Sequence, residues 1–90
     1  MMSLNVVFHA AAWEDFQYWI GQDRKTLRRI LQLIDAISRD PFSGIGKPEP
    51  LKGSAYRNYW SRRIDDVNRI IYKTDDKNLY IVQLRGHYDD

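Results

Sequence analysis

The order of hydrophobic and polar residues predicts one short strand and two helices in the first half of the chain. The segment Asn5-Val6-Val7-Phe8 is typical of a short opening strand. The composition from Ala10 to about Ile20 favours a helix, and three large apolar residues fall on one of its faces: Trp13, Phe16 and Ile20. Gly21 suits the end of this helix.

The second helix has the clearest periodicity in the sequence. Asp23 is a suitable N-cap, and the helix is predicted to run from about Arg24 to Arg39 before Pro41 ends it. Its apolar residues recur about every 3.6 positions, at Leu27, Ile30, Leu31, Ile34 and Ile37. The opposite side is polar, with Arg28, Arg29, Gln32 and Asp35.

A stiff loop is predicted over residues 41–50, which contain three prolines and two glycines. Glu49 lies between Pro48 and Pro50, so its backbone is restrained before any ligand binds. Such preorganisation suits a catalytic group. The alternative is a rigid connector that carries a solvated glutamate.

Three more strands are predicted, over residues 59–64, 68–74 and 79–87. Short polar connections join them and indicate an antiparallel meander. The expected fold class is therefore α+β, with two N-terminal helices packed on one face of a small antiparallel sheet. At 90 residues, the chain forms a single domain, residues 1–90.

Strand alternation sorts the side chains of the predicted sheet into two faces. Trp60 and Tyr72 are expected in the core. On the last strand, one face becomes polar toward its end through Gln83, Arg85 and His87. With a suitable register, an open surface of the sheet gathers basic side chains from all three strands: Arg63, Arg69, Arg85 and His87.

The net charge of +2 conceals a basic second half. Residues 47–88 hold nine Lys or Arg against five Asp or Glu. A polyanionic partner would explain this balance, and so would ordinary surface charge. The chain has no cysteine, only two histidines and no long apolar run, so we expect no metal site, no cofactor, no membrane span and a cytoplasmic location.

Four residues supply the groups needed to cleave RNA through its own 2′-hydroxyl: Glu49, Arg69, His87 and Tyr88. One group takes the 2′ proton, another protonates the leaving 5′-oxygen, and a cation stabilises the phosphorane. Glu49 is interpreted as the base and His87 as the acid, although these two roles can be exchanged. Tyr88 would orient the phosphate or His87.

Four segments of the chain resemble the YoeB toxins of the RelE group of toxin–antitoxin ribonucleases. They are Asp40-Pro41-Phe42 with Gly44 and Gly46-Lys47-Pro48-Glu49-Pro50-Leu51-Lys52, then Tyr59-Trp60-Ser61-Arg62-Arg63-Ile64, Asn68-Arg69-Ile70-Ile71-Tyr72, and Arg85-Gly86-His87-Tyr88. The resemblance implies a RelE-like microbial ribonuclease-type fold and a ribosome-dependent endoribonuclease that cuts mRNA in the ribosomal A site. It also implies a neutralising antitoxin of the YefM/Phd-like type, and homodimers are common among such toxins.

The resemblance also implies roles for individual residues. Glu49, Arg69, His87 and Tyr88 match the catalytic positions of the family. Lys52 and Arg63 match basic positions of the family that are implied to contact RNA. Contacts with RNA are expected from Lys47 and Arg62 as well. The chain departs from the family pattern at Asn68, where many members have histidine, within residues 53–58, and in the added Asp89-Asp90.

A non-catalytic binding module on the same fold is the alternative function. Related toxin folds include members that lack the nuclease residues and block gyrase. A pure binder has no reason to carry Glu49, Arg69, His87 and Tyr88 together, which favours the nuclease.

Overall fold

A computed structural model describes residues 3–86. Two helices, α1 (Ala10–Gln22) and α2 (Arg24–Arg39), pack against a five-stranded sheet. The strands are β1 (Asn5–Phe8), β2 (Glu49–Pro50), β3 (Trp60–Arg63), β4 (Arg69–Thr74) and β5 (Asn78–Gln83), and a 3-10 helix spans Ser54–Tyr56. The order across the sheet is β1-β5-β4-β3-β2. The predicted α+β class and the predicted meander of β3, β4 and β5 are confirmed.

The sheet is mixed, which corrects the expectation of a purely antiparallel sheet. β1 pairs with β5 in parallel, and Asn5 lies opposite Asn78. The hairpins force β3, β4 and β5 to alternate in direction, whereas β1 reaches the sheet from the far end of the sequence without that constraint. β2 adds the opposite edge, where Glu49 pairs with Ser61. The predicted loop therefore ends in a two-residue strand.

Helix α1 buries a different face from the one that its largest apolar residues suggest. Ala12 and Trp19 are buried, whereas Trp13 and Ile20 are 49% and 56% exposed. Trp13 lies at the edge of the core, where its ring stacks on Phe16 with centroids 5.9 Å apart. Of the predicted face, Phe16 packs against the core, whereas Trp13 and Ile20 are largely exposed.

Helix α2 begins and packs largely as its sequence indicates. The Asp23 carboxylate accepts hydrogen bonds from the backbone N–H groups of Lys25 and Thr26, so the predicted N-cap is confirmed. The core residues of α2 are Ile30, Leu33, Ile34 and Ile37. Leu31 was expected among them but is 49% exposed, because it lies beside the apolar stripe.

A bulge in β5 changes the faces of its last residues. Tyr72 pairs with Ile81 and Ile71 pairs with Gln83, so Val82 is an extra residue between the two registers. Beyond this point the alternation reverses. Leu84 is fully buried, and Gln83 lies on the same face as Ile71. The predicted alternation of the last strand therefore holds up to Ile81 and is wrong after it.

The Arg62 side chain is fully buried in the core. Its Nη2 donates to the carbonyl oxygens of Asp40 (2.6 Å) and Ser43 (2.9 Å), and its Nη1 donates to that of Ile45 (3.2 Å). Its Nε donates to the Tyr72 hydroxyl at 3.2 Å. These bonds compensate the cost of burying the charge.

The prediction that Arg62 contacts RNA is therefore corrected, since its guanidinium is enclosed by the protein and holds the 40–46 loop. Tyr72 assists it, because the Tyr72 hydroxyl donates to the Pro41 carbonyl oxygen at 2.6 Å. Burial raises the pKa of Tyr72, so its hydroxyl stays protonated and remains a donor.

The same loop approaches the sheet too closely for a side chain at Gly46. The backbone there has φ +85°, and an added Cβ would lie 2.8 Å from Leu33 Cδ2 and 3.1 Å from Arg62 Cβ. The Gly46 carbonyl oxygen accepts a 2.7 Å hydrogen bond from the Arg63 N–H. A glycine is thus required where the loop passes between α2 and β3.

The aspartate that opens the β4–β5 turn has a depressed pKa. The Asp75 carboxylate accepts hydrogen bonds from the Tyr80 hydroxyl (2.7 Å) and from the backbone N–H groups of Lys77 and Asn78. These bonds, that from Tyr80 most of all, lower the pKa of Asp75 to about 2. The ionised form therefore stabilises the turn.

The buried arginine and its exposed neighbour provide a matched test. Arg62→Ala should lower the free energy of unfolding by about 3 kcal/mol or more, because three loop carbonyls and the Tyr72 hydroxyl lose a buried partner. Arg63→Ala removes an exposed side chain and should change it by less than about 0.5 kcal/mol. Urea denaturation of both variants measures this difference. Equal losses would contradict the assignment of Arg62 to the core.

Acid should weaken the β4–β5 turn through Asp75. A carboxyl group with a depressed folded-state pKa stabilises the fold above its unfolded value of 3.8, and this contribution is lost as the pH falls toward about 2. We expect the stability of Asp75→Asn to fall less than that of the wild type between pH 5 and pH 2.5. Denaturant melts at the two pH values measure this, and identical losses in both proteins would refute it.

Candidate active site

The face of the sheet away from the helices brings three of the predicted site residues together. Glu49 on β2 lies opposite Ser61, which in turn lies opposite Ile71 on β4. Arg63 lies opposite Arg69 in the neighbouring row. Because directly paired residues point to the same face, Glu49, Arg63 and Arg69 share one surface. Neighbouring strands are about 4.8 Å apart, so Glu49 lies about 10 Å across the sheet from β4.

The Arg69 side chain is half-buried, and two hydrogen bonds from its Nη1 orient the guanidinium group. Its Nη1 donates to the backbone carbonyl oxygens of Asp65 (3.0 Å) and Asn68 (3.3 Å). A guanidinium carries five N–H donors in a planar fork, so these bonds orient the group without using all its capacity. A fork held in this way is suited to a phosphate.

The turn between β3 and β4 is organised by the Asp65 carboxylate. It accepts hydrogen bonds from the backbone N–H groups of Val67 (2.8 Å) and Asn68 (2.6 Å) and from the Asn68 side chain. Although partial burial acts to raise it, the hydrogen bonds from Asn68 and Val67 and the charge of Arg69 hold the pKa of Asp65 below its ordinary value. The turn therefore presents a stable anion beside Arg69.

Helix α1 holds the chain at the end of β5. The Asp15 carboxylate accepts the Leu84 N–H at 3.0 Å, and the Trp19 indole N–H donates to the Leu84 carbonyl oxygen at 2.9 Å. Asp15 and Trp19 are one helical turn apart and so reach the same residue. Both backbone polar groups of Leu84 are thereby satisfied by side chains of α1.

The β3–β4 turn holds the chain two residues later. The Asn68 side-chain oxygen accepts the Gly86 N–H at 2.8 Å, and the Arg69 N–H donates to the Gly86 carbonyl oxygen at 2.8 Å. Gly86 has φ +81°, a conformation that suits glycine. Four hydrogen bonds thus anchor Leu84 and Gly86, up to the residue before His87.

Arg85 lies between these two anchors and turns toward α1. Its guanidinium carbon is 3.7 Å from the centroid of the Tyr18 ring, which is a close cation–π contact. The predicted cluster of Arg85 with Arg63 and Arg69 is therefore wrong, because Arg85 lies beyond Gln83, the last residue of β5, and its side chain packs on Tyr18.

Most of the other predicted site residues within the described part of the chain have exposed side chains. Lys47, Glu49 and Lys52 are exposed, and Lys47 has a positive φ of 53° at the entry to β2. Arg63 is exposed, on the same face as Arg69. The predicted catalytic residues His87 and Tyr88 lie outside the described residues.

Sequence reasoning missed two residues that position this site, Asp15 and Trp19. In the sequence, Asp15 and Trp19 are visible only as two side chains with hydrogen-bonding groups, four residues apart on α1. Their role cannot be recognised until Leu84 is known to be their partner. Asn68, which departs from the family pattern, also positions this segment, because its side-chain oxygen accepts the Gly86 N–H.

Two further features bear on the kind of site. Within residues 3–86, no three His, Cys, Asp or Glu side chains are grouped in a way that could hold a metal ion. In the same part of the chain, no helix is long and apolar enough to cross a membrane.

Comparison with known proteins places this arrangement in a family. A family model described as a YoeB-like toxin of bacterial type II toxin–antitoxin systems matches residues 8–88. The Toxin YoeB of Mycobacterium bovis is 54% identical over 88 residues, which cover 98% of this chain and 100% of that protein.

Solved structures agree with the sequence comparison. The YoeB dimer from Staphylococcus aureus has a TM-score of 0.89 at 38% identity and covers 97% of this chain and 100% of its own. The heterotetrameric YoeB–YefM toxin–antitoxin complex from the same species has a TM-score of 0.85 at 38% identity, with the same coverage. The predicted RelE-like fold is confirmed by these similarities. The chain belongs to the YoeB family of toxins of bacterial type II toxin–antitoxin systems, within the RelE superfamily.

Proposed function

We propose that this toxin is a ribosome-dependent endoribonuclease that cleaves mRNA in the ribosomal A site and so inhibits translation. Toxins of the YoeB and RelE group are known as ribonucleases. The single observation that best supports this activity is the register of the sheet. It puts Glu49 and Arg69 on one open face, while Arg69 also binds the carbonyl oxygen of Gly86, the residue before His87.

The reaction is an attack of the RNA 2′-oxygen on the adjacent phosphorus. Glu49 accepts the 2′ proton as the O2′–P bond forms. The P–O5′ bond breaks, and His87 donates a proton to the departing 5′-oxygen. The products are a 2′,3′-cyclic phosphate, or a 3′-phosphate after hydrolysis, and a 5′-hydroxyl.

Arg69 stabilises the negative charge that develops on the phosphorane. Its Nη1 is held by the carbonyl oxygens of Asp65 and Asn68, so the guanidinium is oriented before substrate binds. Tyr88 orients the phosphate or His87. The mechanism assigns no role to a metal ion or cofactor, because Glu49, His87 and Arg69 together supply the base, the acid and the cation.

Exposed basic residues around this centre bind the RNA backbone. Arg63 shares the open face with Arg69, and Lys47 and Lys52 flank Glu49 along the chain. Such side chains attract phosphates without reading sequence. Arg62 is not part of this group, because it is buried.

The proposed partners follow from the family. A YefM-type antitoxin neutralises the toxin, as the S. aureus complex of YoeB with YefM suggests, and the S. aureus YoeB dimer makes a homodimer the expected form of the free toxin. The ribosome and its mRNA are the targets, which places the toxin in the cytoplasm.

The first test of the function is primer extension on a translated mRNA, with and without ribosomes. The wild type should cleave only with ribosomes, and Arg69→Ala and His87→Ala should each slow cleavage by about a hundredfold or more. Arg39→Ala is the matched control, because Arg39 makes an exposed ion pair with Asp35 on α2.

The outcomes of this test separate the two functions. Ribosome binding without cleavage under any condition would favour the non-catalytic module. Folded Arg69→Ala and His87→Ala variants that cleave at the wild-type rate would show that the site is assigned to the wrong residues.

A second test concerns Asn68, which we assign as a positioning residue because it binds the Gly86 N–H. Asn68→Ala should lower kcat by about tenfold or more with little change in KM, since a small displacement of the following catalytic segment slows chemistry more than binding. Hydrogen exchange of the Gly86 amide should become faster in the same variant. Unchanged exchange together with unchanged kcat would refute this role.

A further inference from the structure

A pocket opens on the face of the sheet that carries Glu49 and Arg69. Its volume is about 470 Å³, and its lining includes His9, Arg57, Tyr59, Lys73, Asp75 and Tyr80. Lys73 on β4 lies opposite Tyr80 on β5, so the two side chains point to the same face. Lys73 is four residues from Arg69 on the same strand, which puts it on the same face about 13 Å away.

Two tyrosine rings flank the Lys73 ammonium group in this pocket. The Lys73 ammonium nitrogen is 5.2 Å from the centroid of the Tyr59 ring and 5.7 Å from that of the Tyr80 ring. Both contacts are within the range of cation–π attraction, so the ammonium group is held at the pocket. A positive charge beside aromatic rings is the combination by which proteins bind single-stranded nucleic acid.

The Tyr80 ring is also held in place at its far end. Its hydroxyl donates to the Asp75 carboxylate at 2.7 Å and accepts from Asn78 Nδ2 at 3.2 Å. The ring of His9 lies near the same tyrosine, with centroids 6.1 Å apart. A ring that is restrained before binding loses little entropy when a base stacks on it.

The charges of the lining limit what this pocket accepts. Lys73 and Arg57 are cationic and Asp75 is anionic, which leaves a net positive charge. The Asp75 carboxylate disfavours a ligand that carries several negative charges. A ligand with one phosphate charge and one flat ring satisfies both the cations and the tyrosines.

We propose that this pocket binds a nucleotide of the mRNA strand next to the cleavage site, with its base on the Tyr59 and Tyr80 rings and its phosphate on Lys73 and Arg57. The inference rests on the proposed nuclease function, which supplies the RNA strand on this face. The pocket lets the toxin grip RNA beyond the cleaved bond and select for strands whose bases are unpaired.

The test uses a short single-stranded RNA with 2′-O-methyl groups at every position, which cannot be cleaved because its nucleophile is blocked. In NMR titrations of the full chain, it should shift the amides of Tyr59, Lys73 and Tyr80. Inorganic phosphate at the same concentration should leave the tyrosine amides in place. Shifts produced equally by phosphate would show a simple anion site and overturn the nucleotide assignment.

Paired variants separate stacking from charge. Tyr80→Leu should weaken binding of this RNA by about tenfold, whereas Tyr80→Phe keeps the ring and should bind within about threefold of the wild type. Lys73→Gln should reduce the slope of log K against log salt by about 0.7, the value for one lost phosphate contact on a single strand. Lys77→Gln makes the same charge change outside the pocket, on an exposed side chain, and should leave the slope unchanged.

Thermal melts confirm that each variant is folded before it is compared. Binding and salt slopes equal to the wild type in folded Tyr80→Leu and Lys73→Gln would overturn the inference. So would amide shifts in this pocket on addition of a YefM-type antitoxin but not of RNA, because the pocket would then bind protein.

Failure of the proposed function has a different signature. A wild type that never cleaves ribosome-bound mRNA would refute the nuclease, while RNA binding that depends on Tyr80 and Lys73 would still establish the pocket. Ribosome-dependent cleavage by the wild type together with RNA binding that is indifferent to both residues would refute the pocket and leave the nuclease standing.

Discussion

The hydrogen bonds of the buried Arg62 guanidinium are the interaction on which the open face of the sheet depends. A charge in the core is costly unless it is fully hydrogen-bonded, and here the compensating groups are carbonyl oxygens of the 40–46 loop and the Tyr72 hydroxyl. The loop must therefore fold back against β3 to satisfy the arginine. That return brings the chain to β2 and sets Glu49 opposite Ser61. The position of the proposed base thus follows from a core contact that never meets the substrate.

Arg62 and Arg63 show how strand alternation divides the work between identical side chains. They are neighbours on β3, yet one points into the core and the other onto the open face beside Arg69. The sequence predicted this alternation and correctly put Trp60 near the core. Contacts with RNA were nevertheless predicted for both arginines, because both lie in the basic Tyr59-Trp60-Ser61-Arg62-Arg63-Ile64 segment. A fully buried arginine is rare enough that the alternation alone did not suggest one.

The features that could be predicted from the sequence are those that depend on contacts between residues close together in the chain. Helix α2, its Asp23 cap and the hairpins of β3, β4 and β5 follow from periodicity and turn chemistry. The parallel pairing of β1, the bulge at Val82 and the contacts of Asp15 and Trp19 with Leu84 join residues far apart in sequence. Periodicity carries no information about such pairings. The reversed face after Val82 and the contact of Arg85 with Tyr18 could not be predicted for that reason.

The open face is therefore supported from two directions. From the helix side, α1 satisfies both backbone polar groups of Leu84. From the sheet side, Asn68 and Arg69 bind the N–H group and the carbonyl oxygen of Gly86. Arg69, which is proposed to stabilise the phosphate, therefore also anchors the residue before the proposed acid. Arg69 thus links the β3–β4 turn directly to Gly86. In a small domain with a modest core, such links let a few hydrogen bonds restrain a site assembled from segments distant in sequence.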